Sequence, residues 1–156
     1  VDRAGFELLA AEHALLRAQL ERVVATPGGE GGGDRRRARE IRSLSAGMRK
    51  HLAREDRVLY PLCARLFGDR GGPVDVLRTD HRVLRVKLAA IERALGTPSH
   101  IMLPGLLSDL AGIVARHFGQ EENILFPIAA ARLSETEATF VEDRLRGPAR
   151  SGSPRK

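Results

Sequence analysis

At 156 residues with one cysteine, Cys63, the chain is long enough to bury a core as a single domain and carries neither a disulfide framework nor a Cys-based zinc site. Its net charge of +6 includes the run Arg35-Arg36-Arg37, yet with one Tyr and no Trp for base stacking the arginines read as solvated helix surface and not as a nucleic-acid footprint. No signal-peptide core and no run of about eighteen apolar residues stands out, so a cytoplasmic chain with neither a membrane nor a nucleic-acid partner is expected.

From about Asp2 to Ala25, the apolar residues Phe6, Leu9, Leu16, Leu20 and Val23 fall on one helical stripe, and His13 sits within it. Thr26 to Asp34 is too rich in glycine to hold a helix. A second helix is expected from about Asp34 to Phe67, its buried face marked by Ile41, Leu44, Met48, Leu59 and Leu62, with a kink near Pro61. His51 and Glu55 lie on that face, about 40° apart around the axis. After Gly68 to Pro73, residues Val74, Leu77, Leu84, Leu88, Ile91 and Leu95 form a third stripe whose spacing His81 completes.

Beyond a connection from Gly96 to Gly105, a fourth helix from about Leu103 to Arg132 has Leu106, Leu110, Ile113, Val114, Ile124, Leu125 and Ile128 on its inner side, with His117 and Glu121 among them. Pro127 mirrors Pro61. Ser134 and Glu137 form a capping box for a short fifth helix ending near Arg146, and residues 147–156 read as a disordered basic tail. No strand pattern competes. The expected fold is all-α, an antiparallel up-down four-helix bundle over residues 1–146 with a short C-terminal fifth helix.

The strongest signal is a repeat. His51 to Leu62 reads HLAREDRVLYPL and His117 to Ile128 reads HFGQEENILFPI, while Glu12-His13-x-x-Leu16-Arg17 returns as Asp80-His81-x-x-Leu84-Arg85. A carboxylate in an apolar stripe must be paired, protonated or bound to a cation. Glu55 and Glu121 are so placed, and Arg17 and Arg85 offer the ion-pair alternative; that alternative leaves four inward histidines unexplained. The pattern therefore points to a metal site made of His13, His51, Glu55, His81, His117 and Glu121. Imidazole and carboxylate together suit iron, manganese or zinc, and shared carboxylates favour a redox-active pair of ions. Glu12 and Asp80 are candidates to accept from a histidine ring. Asp56 and Glu122 are turned about 100° away and are expected to face solvent. Tyr60, five residues past Glu55, falls off the inward face and is expected to pack in the core.

Read in order as His13, His51-x3-Glu55, His81, His117-x3-Glu121, with the phrases Leu59-Tyr60-Pro61 and Leu125-Phe126-Pro127, the chain resembles the hemerythrin and HHE cation-binding family, especially its actinobacterial members. The resemblance spans about residues 1 to 146. It implies a bundle holding two oxo-bridged iron ions, with those six side chains as ligands and the two glutamates as bridges. Oxygen-carrying hemerythrins have a fifth histidine on the third helix; the matching places here hold Leu77 and Arg85.

Two six-coordinate ions offer about twelve positions, and the bridges and four histidines fill about ten, leaving one open on each ion. Open positions on both ions suit peroxide, and the resemblance to actinobacterial members implies peroxide-dependent oxidoreductase chemistry, catalase-like or nitric oxide peroxidase, as the first expectation. Tyr60 fills a ligand position or supplies an electron only if it does not simply pack in the core, and with Arg85 it is also a candidate to contact the ligands from behind. The alternative is reversible dioxygen or nitric oxide binding, or iron and redox sensing. The expected partner in either case is a small molecule: hydrogen peroxide, nitric oxide or dioxygen.

Overall fold

The computed structural model describes residues 4–26, 32–68 and 72–147. Among them, every regular element is helical: α1 (Ala4–Ala25), α2 (Gly32–Arg54), a π-helical turn (Glu55–Leu59), α3 (Tyr60–Phe67), α4 (Pro73–Ala94), a 3-10 turn (Pro98–Met102), α5 (Leu103–Gln120), a second π turn (Glu121–Leu125), α6 (Phe126–Arg132) and α7 (Glu135–Arg146). Four long helical runs make the bundle, in which α1 packs on α2 and α5, and α4 on α5 and α2. The second run starts at Gly32, ahead of the expected Asp34. The sequence expectations for Asp2, the connection at 27–31 and the tail at 148–156 fall outside the described residues.

The irregularity expected at each proline is a widened turn just before it. Pro61 and Pro127 have no N–H to give to a carbonyl four residues back. One residue earlier, the Tyr60 N–H reaches back five residues to the Glu55 carbonyl, and the Phe126 N–H to that of Glu121. Each π turn therefore begins at one of the glutamates. The extra residue rotates everything after it by about 100°. This corrects two assignments: Ile124 and Ile128 are 50% and 40% exposed, while Leu125, Phe126 and Ala129 take the inner side. Leu106, Ile113 and Leu95 are only partly buried and pack on the edge of the core.

The core is two apolar layers with a polar layer between them. Leu16, Leu20, Ile41, Met48, Leu88 and Leu110 belong to one, and Leu9, Leu59, Leu62, Val74, Leu77 and Leu125 to the other. His13, His51, Glu55, His81, His117 and Glu121 separate them, none more than 2% exposed. Helix α7 closes the second layer with Val141 and Leu145. Its start is the expected capping box, in which the Glu137 N–H donates to Ser134 Oγ and the Ser134 N–H to Glu137. Gly5 lets α7 lie close on α1, since a Cβ there would sit 3.2 Å from Val141 Cγ1 and 3.3 Å from the Glu142 nitrogen.

The helical run His100–Arg132 has an eighteen-residue window of mean hydropathy 1.2, long and apolar enough to cross a membrane by composition alone. That differs from the expectation that no such run exists. The same run carries the buried His117 and Glu121 and packs on α1 and α4.

Candidate metal centre

Four helical runs each send one or two side chains to a common point at mid-bundle. His13 Nε2 lies 2.9 Å from His51 Nε2, and His81 Nε2 lies 3.0 Å from His117 Nε2. Glu55 spans the two pairs: Oε1 is 3.2 Å from His51 Nε2 and 3.6 Å from His13 Nε2, and Oε2 is 3.4 Å from His81 Nε2. Glu121 Oε2 likewise faces His13 and His117, at 3.3 and 3.5 Å. The result is two four-residue groups, His13/His51/Glu55/Glu121 and Glu55/His81/His117/Glu121, that share both glutamates.

The rings are held from behind. His13 Nδ1–H donates to Glu122 at 2.8 Å, His51 Nδ1–H to Glu12 at 2.9 Å and His81 Nδ1–H to Asp56 at 2.9 Å. Glu122 and Asp56 do not simply face solvent, as their helical phase suggests. They reach back over the helix to a neighbouring run, and arginines hold them there: Arg17 grips Glu122 with two bonds of 2.9 and 3.0 Å, and Arg85 holds Asp56. Both carboxyls sit below their ordinary pKa because the histidine and arginine bonds outweigh the desolvation that would raise it. Arg17 and Arg85 are thereby committed to these outer acids. The ion-pair alternative for Glu55 and Glu121 fails.

Asp80 is less engaged than its counterpart Glu12. Its Oδ2 is 3.7 Å from His117 Nδ1, too far for a hydrogen bond, and its Oδ1 accepts from Arg116 at 2.9 Å.

Tyr60, expected to fall off the inward face, reaches the cluster. Because the π turn rotates it inward, its hydroxyl donates to Glu121 Oε1 at 2.6 Å and lies 2.9 Å from His81 Nε2. Its expected core burial is present, with 0% exposure, but its polar end belongs to the cluster. Burial, then Glu55 and Glu121, hold the phenol well above its ordinary pKa, so it stays protonated. Phe118 stacks on His13 with ring centroids 3.8 Å apart, and Phe126 lies 5.7 Å from the same ring. His100 is exposed in the 3-10 turn, bonded to the Thr97 carbonyl.

Whether this arrangement fits a metal follows from where the protons are. An ionised carboxylate can only accept, so Glu122, Glu12 and Asp56 place the imidazole proton on Nδ1 and leave Nε2 a lone pair. The two such lone pairs of His13 and His51, 2.9 Å apart, repel, and both Glu55 oxygens and Glu121 Oε2 have no hydrogen-bond partner although buried. A cation removes both problems. The spacing also fits, since two nitrogens about 2.1 Å from one ion and at right angles are about 3 Å apart. Without a cation the cluster draws protons instead: burial alone would lower His13 and His51, but Glu55 and Glu121 raise both above 6.5, and Asp56 and Glu55 raise His81. His117 goes the other way, down to about 4, through burial and its neighbour His81. Burial and the charge of Glu55 push Glu121 up to about 7, while the histidines hold Glu55 well below its usual range.

A helical bundle with a buried layer of paired histidines and shared carboxylates defines a class of metal-binding bundle. The family model described as hemerythrin HHE cation-binding domain matches residues 4–129, and the chain belongs to that family. Comparison with curated proteins and with solved structures gave no match.

Proposed function

We propose that the chain binds two iron ions through His13, His51, Glu55, His81, His117 and Glu121 and turns over peroxide, either as a catalase-like enzyme or as a nitric oxide peroxidase. The observation that carries this reading is the sharing of both glutamates by two histidine pairs, with a protonated phenol bonded to one of the glutamates. A bound iron pair would supply two-electron redox capacity and Lewis acidity. The polypeptide supplies the rest. Glu55 and Glu121 offset cationic charge, and Glu12, Asp56 and Glu122 fix three rings in one tautomer. Tyr60 keeps a proton at its hydroxyl beside Glu121 and His81, where it can serve a reduced oxygen product or fill a ligand position. Phe118 and Phe126 keep bulk water from His13.

The near-complete burial of all six side chains favours a second reading, reversible binding of dioxygen or nitric oxide, or iron and redox sensing. In both readings the partner is a small molecule, with no role for nucleic acid or membrane. Cys63 is buried and unpaired, which is compatible with a reducing cytoplasm.

Elemental analysis of the purified chain, with its near-ultraviolet spectrum and a peroxide-consumption assay on the same sample, tests the proposal. About two irons per chain with catalytic consumption supports it. Stoichiometric uptake that reverses on removing the gas supports the carrier reading. His117→Ala should lose both iron and turnover; turnover that survives loss of iron removes the proposal.

A further inference from the structure

Far from the metal layer, the first turns of α2 and the end of α4 line a half-open cavity of about 750 Å³. It opens near Ile41, ten residues before His51 and so roughly 15 Å along the helix from the histidines. Its apolar side is Ile41, Leu95 and Leu103, and its cationic side is Arg35, Arg37 and Arg42, with His100 at the rim.

Arg37 sets this cavity apart. It is 8% exposed, the most buried arginine among the described residues, and its Nε has no hydrogen-bond partner. Elsewhere in this chain, half-buried arginines are matched by acids: Arg17 by Glu122, Arg54 by Glu12 and Arg85 by Asp56. Arg35, Arg37 and Arg42 have no carboxylate partner among the described residues. A guanidinium buried at its Nε without a counter-charge is costly, and cations in the first turns of a helix also oppose its dipole. Arg37 therefore differs from the solvated arginine expected of the run Arg35-Arg36-Arg37. An anion entering the cavity would satisfy both terms, and the apolar side would receive a hydrocarbon body.

We propose that this cavity is a second binding site, for a small organic anion with a phosphate or carboxylate head on Arg37 and an apolar body against Ile41, Leu95 and Leu103. Its volume lies in the range of sites that enclose such molecules. The site is independent of the metal centre.

The test is titration calorimetry of the metal-loaded full chain with n-hexyl phosphate, hexanoate, inorganic phosphate and 1-hexanol. One saturable site for either hexyl anion is expected, with binding of inorganic phosphate at least tenfold weaker and none of hexanol. Hexanoate binding more tightly than hexyl phosphate assigns a carboxylate head, and the reverse assigns a phosphate. Arg37→Met should abolish that site while leaving metal content and the near-ultraviolet spectrum unchanged. In the ligand-free chain the same variant should melt higher than the native protein, because an uncompensated charge is gone. Failure of both hexyl anions to saturate a site overturns the proposal. So does an Arg37→Met chain that melts lower and still binds the anion, since Arg37 would then have its counter-charge within the protein. Arg42→Gln, at an exposed position, gives a second variant that should weaken binding without threatening the fold.

Discussion

Replacing Tyr60 by Phe isolates one oxygen atom at the centre of the bundle. The ring keeps its packing and only the hydroxyl is lost. That hydroxyl makes the 2.6 Å bond to Glu121 Oε1, and Glu121 Oε2 already has no hydrogen-bond partner, so the variant leaves a fully buried carboxyl with no neutral donor. A hydrogen bond to a charged group contributes about 1.5–3 kcal/mol, and for a chain of this length each kcal/mol moves the melting temperature by about 2–4 °C. The metal-free variant should therefore melt about 3–12 °C lower. The lower half of that range is expected, because the variant also removes the contact between the Tyr60 oxygen and the lone pair of His81 Nε2, 2.9 Å apart. Metal loading should shrink the difference, since a bound cation satisfies Glu121 directly. Circular dichroism melts of both chains, with and without iron, measure it. A metal-free difference below about 1 °C would mean the hydroxyl does not spend its bond on Glu121, and the role given to Tyr60 would fall with it.

Two further tests lie behind the histidines and away from the centre. Asp56→Ala or Glu122→Ala strips the acceptor from His81 or His13, and metal affinity should drop by about 10–100-fold in chelator competition while the helical spectrum is retained; an unchanged affinity would show that these acids do not orient the rings. Away from the centre, Glu92 has its pKa lowered from 4.5 by the Ser45 hydroxyl first and Arg49 second. A lowered carboxyl pKa stabilises the fold above the unfolded value and stops doing so as pH falls through the folded one. Glu92→Gln should thus melt slightly lower than the native chain at pH 7, and the gap should close as the pH drops below about 4.5; a gap independent of pH excludes the ionic contribution.

Much of this arrangement could be read from the residues alone because the repeat does two things at once. A stripe at three-four spacing announces a buried helix face, and a histidine or glutamate that occupies the stripe is committed to the interior. Hence the six inward side chains, the four long helices and the capping box were all visible. Part of what stayed hidden comes from one backbone event that occurs in each half. Helical phase after Glu55 and Glu121 assumes four-residue hydrogen bonds, whereas the proline six positions on forces five-residue ones. That displaced residue turns Tyr60 and Phe126 inward and leaves Ile124 and Ile128 outside. The phrase Glu-x5-Pro, repeated in both halves, was the available clue. The roles of Asp56 and Glu122 are hidden for another reason. Their Cα positions do point sideways, but in a bundle a sideways carboxylate reaches the adjacent helix, and Arg17 and Arg85, one turn from His13 and His81, hold it there. Arg37 shows the same limit, since composition cannot tell which member of an arginine run a neighbouring helix will cover.

The two halves differ most informatively behind His51 and His117. In the first half Glu12 reaches His51 Nδ1 at 2.9 Å and is braced by Arg54. In the second, the place of Arg54 is taken by Gln120, which is neutral and whose Oε1 is buried without a partner. Asp80, one methylene shorter than Glu12, turns to Arg116 instead and stops 3.7 Å from His117 Nδ1, which is left with no acceptor. His117 is therefore the least anchored of the four rings, and its affinity for a proton is the lowest. Restoring the missing length by Asp80→Glu should let the carboxylate reach Nδ1, fix the ring and make it a better donor. Outer carboxylates of this kind change metal affinity by about 10–100-fold, so a gain of roughly tenfold at the His81/His117 half is expected, with the other half unchanged. With two ions bound as proposed, stepwise chelator removal, in which the weaker would leave first, reads the two halves separately. If Asp80→Glu leaves the first step where it was, the short side chain is not what weakens His117. If the step comes earlier, the bond between Asp80 and Arg116 matters more to the centre than the one it fails to make.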